Sequence, residues 1–369
     1  MKPFYLLISF IVLLLTGCQT TGQTPMEVVD HYYQNGKFNG SILIAKHDKV
    51  LVDTVFGYGD LKSKRILKKE TPFYIASLSK SMTAIAISLL AEKGLLSFDD
   101  KAATFINNLP DYASNITIKQ LLNHTSGIRD YENILHKKGL TNNDVVDWLH
   151  GQDGLAFESG TKFQYSNSGY IILSLIIERV SKITYAEFLK KNIFDPLQMH
   201  HTIVYESGTN IPDKAIGYNK DQQIDDYSLL TTGDGGIYAT AEDLFKLDKG
   251  LITNQLLSEK STARLYQTPV LPDGTHSKYG AGWFIEKTGG HMIAQHTGGL
   301  AGFRSLFWRD IENGNTVIAL TNQGDAFPIF DFLNDIRKTL DQTKKTDFEG
   351  MLRGYVPVSF RVAFSIRLI

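Results

Sequence analysis

Cysteine is almost missing from this chain of 369 residues: Cys18 is the only one. An internal disulfide is therefore excluded, and no cysteine nucleophile is available. Charge of one sign is missing too. Thirty-eight Lys and Arg stand against 39 Asp and Glu, a formal net charge of −1, so no global basic field would draw nucleic acid. The ten histidines contain no HExxH, and His200 and His201 are adjacent, so they point apart on a helix. No metal and no other cofactor is implied. "GYGD" and "GDGG" lack the strand–helix setting of a nucleotide loop. There is no internal repeat and no low-complexity tract. The apolar run Phe4–Leu15 is 12 residues long, too short to span a bilayer.

What is present begins with that run. Lys2 precedes it and "LTGC" (Leu15–Cys18) follows, the order of a basic n-region, an apolar h-region and a small-residue cleavage site. The ending resembles the bacterial lipobox, in which the cysteine is lipidated and becomes the mature N-terminus. The expectation is a signal peptide over 1–17, lipidated Cys18 and a polar tether over 18–25. The protein would then be exported to the cell envelope and held at a membrane by its lipid. Loss of Lys2 takes the formal charge to −2.

The remaining composition, 43% hydrophobic and 21% charged, is that of a globular protein with a large core. "MEVVDHYYQNGKF" has helical spacing. "GSILIAKHDKVLVDTVFGYGD" alternates around His47–Asp48 and predicts a β-hairpin. From about 97 to 227 the pattern is helical and rich in loops, with Thr117 and Thr184 as helix caps. "DGGIYATAEDLFKL" places a Gly-rich turn before a helix capped by Thr240. Strand patterns return in "YGAGWFIEK", "HMIAQHTGG", "FRSLFWRD" and "NTVIALTN", then a helix from about Ile329 to Leu340. The two early strands and four late ones predict one antiparallel sheet flanked by helices. The fold class is thus α/β of the α+β type, a body over 26–343 with a mostly helical insertion and a cleft between them. The tail over 344–369 alternates from Val358 to Leu368, which fits an edge strand, the start of a truncated β-domain or non-native sequence. No feature of the sequence points to an oligomeric state.

The segment "YIASLSKSMTAIAISLLAEKG" (Tyr74–Gly94) carries the chemistry. Its helix is apolar nearly all round, so it belongs at the centre. Ser77 at its start meets the positive end of the dipole and free N–H groups, and Lys80 falls on the same face. Desolvation lowers a lysine's pKa and lets it accept a proton; serine beside a neutral amine is an activated nucleophile. Ser159–Lys162 repeats the spacing but sits in a polar Gly turn. Of three Tyr-x-Asn sequences, Tyr165–Asn167 in "YSNSGY" precedes a long apolar helix and can face a cleft; Tyr33–Asn35 lies in a helix and Tyr131–Asn133 in a loop. A Lys/His-Thr-Gly element also occurs twice. Lys287–Gly290 reads as a hairpin turn, whereas His296–Gly299 ends the return strand about 16 Å away, so only the latter is placed to face Ser77.

"SLSK", "YSN" and "HTG" in this order resemble the serine β-lactamase and penicillin-binding protein superfamily, nearest the class C β-lactamases and DD-peptidases. "LLNHTSGI", "GTKFQYSNSGY" and "HTGGLAGF" extend the resemblance over about Phe38 to Leu340. It implies Ser77 as acylated nucleophile and Lys80 and Tyr165 as the acid/base pair, either of which takes the first proton. The backbone N–H groups of Ser77 and Gly299 would form the oxyanion hole. Asn167, His296, Thr297 and Gly298 would bind substrate, Asn167 by donating a hydrogen bond. His296 stands where β-lactamases usually carry lysine. An unperturbed imidazole would be only about one-quarter cationic at pH 7, which favours a peptidase or esterase over a β-lactamase acting on a small molecule, peptide or ester. A penicillin-binding-like sensor or scaffold without activity is a further alternative.

Overall fold

The computed structural model describes residues 23–354 apart from Leu135. The expected signal peptide, Cys18 and the alternating end of the tail lie outside these residues.

Helix α1 (Pro25–Gln34) starts at Thr24, whose side chain accepts from Glu27 N–H while the Glu27 carboxylate accepts from Thr24 N–H. That reciprocal box satisfies two donors a helix start leaves open. Strands β1 (Gly40–Lys46) and β2 (Lys49–Phe56) form the predicted hairpin. His47 and Asp48 both adopt left-handed φ, 48° and 61°, as a two-residue turn matched to strand twist requires.

The late strands are β3 (Phe284–Thr288), β4 (His291–Leu300), β5 (Phe303–Asp310) and β6 (Asn315–Thr321). One six-stranded antiparallel sheet results, ordered β2-β1-β6-β5-β4-β3. The early hairpin and the late strands join at β1 and β6, where Gly40 faces Thr321 and Ala45 faces Thr316. Alternation divides the sheet's side chains between two cores. Ile42, Ile44, Val317 and Trp308 pack with Val29 of α1 and with Phe332 and Ile336 of the last helix, Ile329–Gly354. Leu43, Phe307, Ile318 and Leu320 pack on the other face with the central helix α2 (Ser79–Glu92). Every residue of α2 from Ser79 to Leu90 is buried.

Three expectations need correction. The strand expected from Tyr279 begins only at Phe284. Gly282 has φ 79°, and a Cβ there would stand 2.7 Å from Ser81 Cα and 2.9 Å from Lys80 O, so this stretch turns down onto α2 instead of extending. The last helix runs past Leu340 to Gly354. Finally, Phe73–Tyr74, Ile237–Ala239 and Ile203–Val204 form a small three-stranded sheet, which places a strand inside the Gly-rich segment read as a turn. The strand at Tyr74 is read from the sequence as a short lead-in to α2, whereas Ile237–Ala239 and Ile203–Val204 carry too little alternation to be read. Among the described residues no helix is long and apolar enough to cross a membrane.

Candidate active site

Ser77 sits in a tight turn, Ala76–Leu78, immediately before α2. Ala76 has φ 47°, a left-handed conformation that costs an L-residue roughly 1–2 kcal/mol. The turn is held from two sides. Ser305 Oγ donates to Ile75 O at 2.7 Å, and Gly298 of β4 lies so close that a Cβ would be 2.2 Å from Ile75 O and 3.1 Å from Ser77 N. The backbone of the His296–Gly299 segment thus lies directly against the backbone of the Ser77 turn.

Lys80, one helical turn on, is fully buried. Its Nζ lies 3.0 Å from Ser77 Oγ, 2.8 Å from Asn167 Oδ1 and 2.8 Å from the Asp234 carbonyl. Asn167 opens helix α3 (Asn167–Ser181), capped by Ser166. Its backbone N–H and Nδ2 both donate to Asp130 Oδ2, at 2.9 and 3.1 Å. A carboxylate only accepts, so Asp130 takes the Nδ2 end of the amide and leaves Oδ1 facing Lys80. Of the two hydrogens on Asn167 Nδ2 one goes to Asp130, which leaves the other for the expected donation to substrate.

Tyr165 places its ring 5.0 Å from Lys80 Nζ, lies nearly parallel to Phe284, with ring planes 6° apart, and contacts the His124 ring at 4.2 Å. Its hydroxyl is buried with no hydrogen-bond partner among the described residues. Thr297 lines, with His296, Lys278 and Gln295, a pocket of about 920 Å³ beside β3. The β3–β4 ladder ends at Phe284–Gln295, so β4 from His296 onward has its open edge on that side.

His296 is 2% exposed. Its Nδ1 is 2.6 Å from the Thr297 carbonyl and its Nε2 is 3.0 Å from Tyr279 Oη. The carbonyl can only accept, so the proton is on Nδ1 and the tyrosine donates to Nε2. Burial, with Lys80 adding repulsion, pushes the imidazole pKa down to about 3. The partial positive charge expected here is absent at neutral pH. Burial likewise pushes His124 well below the ordinary imidazole range; its Nδ1 accepts from Ser166 N–H.

Beneath Lys80, the buried Asp234 carboxylate accepts from Tyr131 Oη at 2.5 Å, and burial raises its pKa. Asp130, Asp234 and Tyr279 were not singled out from the sequence. Asp130 follows "HTSGIR" directly and Asp234 is in the noted "GDGG", but neither sits at a spacing that announces contact with Lys80 or Asn167.

The competing Ser-x-x-Lys and Lys-Thr-Gly copies are elsewhere. Ser159 Oγ donates to Ser126 O at 2.6 Å, and Lys162 is exposed. Gly289 and Gly290, with φ 61° and 83°, make the β3–β4 turn beside an exposed Lys287. His291, Asp310 and Glu312 bring ligand-type atoms within 4.8 Å of one another at the opposite end of β4, with both carboxylates already accepting from Asn313 and Met292.

A family model described as Beta-lactamase matches residues 27–338. Penicillin-binding protein 4* of Bacillus subtilis (strain 168) is 35% identical over 82% of this chain and 71% of its own length. Protein flp of Staphylococcus aureus (strain MW2) is 30% identical over 81% of this chain, which spans 63% of flp. Among solved structures, a penicillin binding protein from Bacillus halodurans superposes with TM-score 0.76 at 28% identity, over 86% of this chain and 99% of that one. The D-amino acid amidase from Ochrobactrum anthropi SV3 shares the fold, with TM-score 0.74 at 22% identity over 87% of this chain and 98% of that one.

Proposed function

The chain belongs to the beta-lactamase family of serine hydrolases, and we propose that it cleaves an amide or ester through an acyl-enzyme on Ser77, as a peptidase or esterase before a β-lactamase. The observation that carries this reading is the contact set of one atom, Lys80 Nζ. Acting as an amine, Lys80 has two protons for Asn167 Oδ1 and the Asp234 carbonyl and one lone pair for the Ser77 hydroxyl. Ser77 Oγ then attacks the substrate carbonyl as its proton passes to Lys80. The oxyanion collects between the N–H groups of Ser77 and Gly299, held together by the Gly298 contact. The C–N or C–O bond breaks, and the leaving group takes a proton by way of the unengaged Tyr165 hydroxyl. Water attacks the ester by the reverse relay.

Two features support the ranking. The open edge of β4 beyond Gln295 offers backbone groups to an extended substrate. His296, buried and neutral, supplies no cation for a β-lactam carboxylate. Export by way of lipidated Cys18 belongs to the same reading and rests on the sequence pattern.

Intact mass after exposure to a fluorophosphonate and to a penicillin tests acylation. An adduct on Ser77 is expected with the fluorophosphonate; no adduct with either reagent would leave a non-catalytic scaffold. A panel of a short-chain ester, a D-Ala-D-Ala peptide and a cephalosporin then ranks the substrates. A Cys18→Ser variant recovered from the soluble fraction with unchanged specific activity supports the anchor; one still in the membrane fraction overturns it.

A further inference from the structure

The geometry points to Asp130 as a positioning residue that reserves the Lys80 lone pair for Ser77, acting through the Asn167 amide. This rests on the reading that Ser77 is acylated with Lys80 as its base. Asp130 Oδ2 receives both the backbone N–H and the Nδ2 of Asn167, and Asn167 Oδ1 then faces Lys80 Nζ at 2.8 Å. An amide side chain has two orientations of nearly the same shape and opposite polarity. In the one observed, Lys80 spends a proton on Asn167. In the other, Asn167 Nδ2 would point at Lys80, and an amine could meet it only with its lone pair, the pair that must take the Ser77 proton. The Asp130 carboxylate excludes that orientation because it cannot donate to Oδ1.

Asp130 is itself placed by a fixed loop. Gly127, φ 73°, packs where a Cβ would be 2.1 Å from Phe157 O. Ser126 Oγ accepts from Ile128 N–H and Ser126 O accepts from Ser159. Arg129 Nε donates to Gly154 O at 2.9 Å, and its guanidinium pairs with Asp153 at 3.0 Å. The loop that carries Asp130 is therefore held independently of Asn167.

A double-mutant cycle read by the rate of fluorophosphonate labelling of Ser77 tests this. Asp130→Ala should slow the maximal labelling rate by about tenfold or more, the range for losing a hydrogen bond to a charged group, with the half-saturating reagent concentration unchanged. In an Asn167→Ala background the same change should cost less than about twofold, because nothing remains to orient. Asp130→Asn, which keeps an accepting oxygen, should recover most of the rate. An Asp130→Ala loss of equal size with and without Asn167 overturns the assignment, as does an Asp130→Asn variant as slow as the alanine variant at unchanged melting temperature. Absence of labelling in the unmodified protein would instead remove the acylation reading, and this inference with it.

Discussion

Tyr279 donates its hydroxyl to His296 Nε2 over 3.0 Å while His296 Nδ1 gives its proton to the Thr297 carbonyl. The imidazole is spent on the protein's own groups and is neutral, with a pKa near 3. Its position in the His-Thr-Gly element suggests a reader of substrate charge; its contacts make it a brace between β4 and the Tyr279 stretch.

Selectivity for a carboxylate should therefore not follow imidazole titration. An ordinary imidazole, pKa about 6.5, would change its charged fraction roughly thirtyfold between pH 5.5 and 8. We expect the ratio of kcat/KM for a carboxylate-bearing cephalosporin to that for a neutral ester to stay flat over this range. A ratio falling with rising pH would return the charge-reading role to His296.

The same burial links His296 to acid stability. Unfolded, the imidazole takes a proton below about pH 6.5; folded, it does so only near pH 3. Between these values the unfolded state holds the extra proton, so stability rises with pH, by up to about 1.4 kcal/mol per unit. Its contribution is complete above pH 6.5 and is lost as pH falls towards 3. His296→Gln should remove that slope, read as the difference in unfolding free energy between variant and parent at pH 4, 5, 6 and 7. A constant difference would refute it.

Gly298→Ala should be far more damaging than Gly299→Ala. A Cβ at 298 meets backbone, Ile75 O at 2.2 Å, whereas at 299 it meets only the Arg304 side chain, from 3.1 Å. Backbone cannot step aside, so β4 must part from the Ser77 turn. Misplacement of about 1 Å lowers a rate on the order of 10². Labelling of Ser77 in the two variants measures the contrast; comparable rates would mean that the β4 contact does not position the nucleophile.

Ser77→Ala should abolish turnover, a loss on the order of 10⁶ for a nucleophile. Ser159→Ala and Ser81→Ala should stay within a few-fold, since their hydroxyls donate to the carbonyls of Ser126 and Leu78. Ester hydrolysis by the three variants decides this, and full activity in Ser77→Ala would sink the assignment.

Much of the fold was readable in the chain because its signals are local. Alternation marks β1, β2 and the late strands, the His47–Asp48 turn fixes a hairpin, and Thr117, Thr184 and Thr240 cap helices as their spacing indicates. Ser77 and Lys80 belong to the same class: one helical turn sets their relation before any tertiary contact forms. What joins distant segments was not readable. Asp130 reaches Asn167 across 37 positions and Tyr279 reaches His296 across 17, and no periodicity encodes either meeting. The protonation of His296 is the clearest case. The residue type allows a cation or a neutral brace, and only burial beside Lys80 and Tyr279 selects the brace, because desolvation acts on where a group ends up and not on where it stands in the sequence.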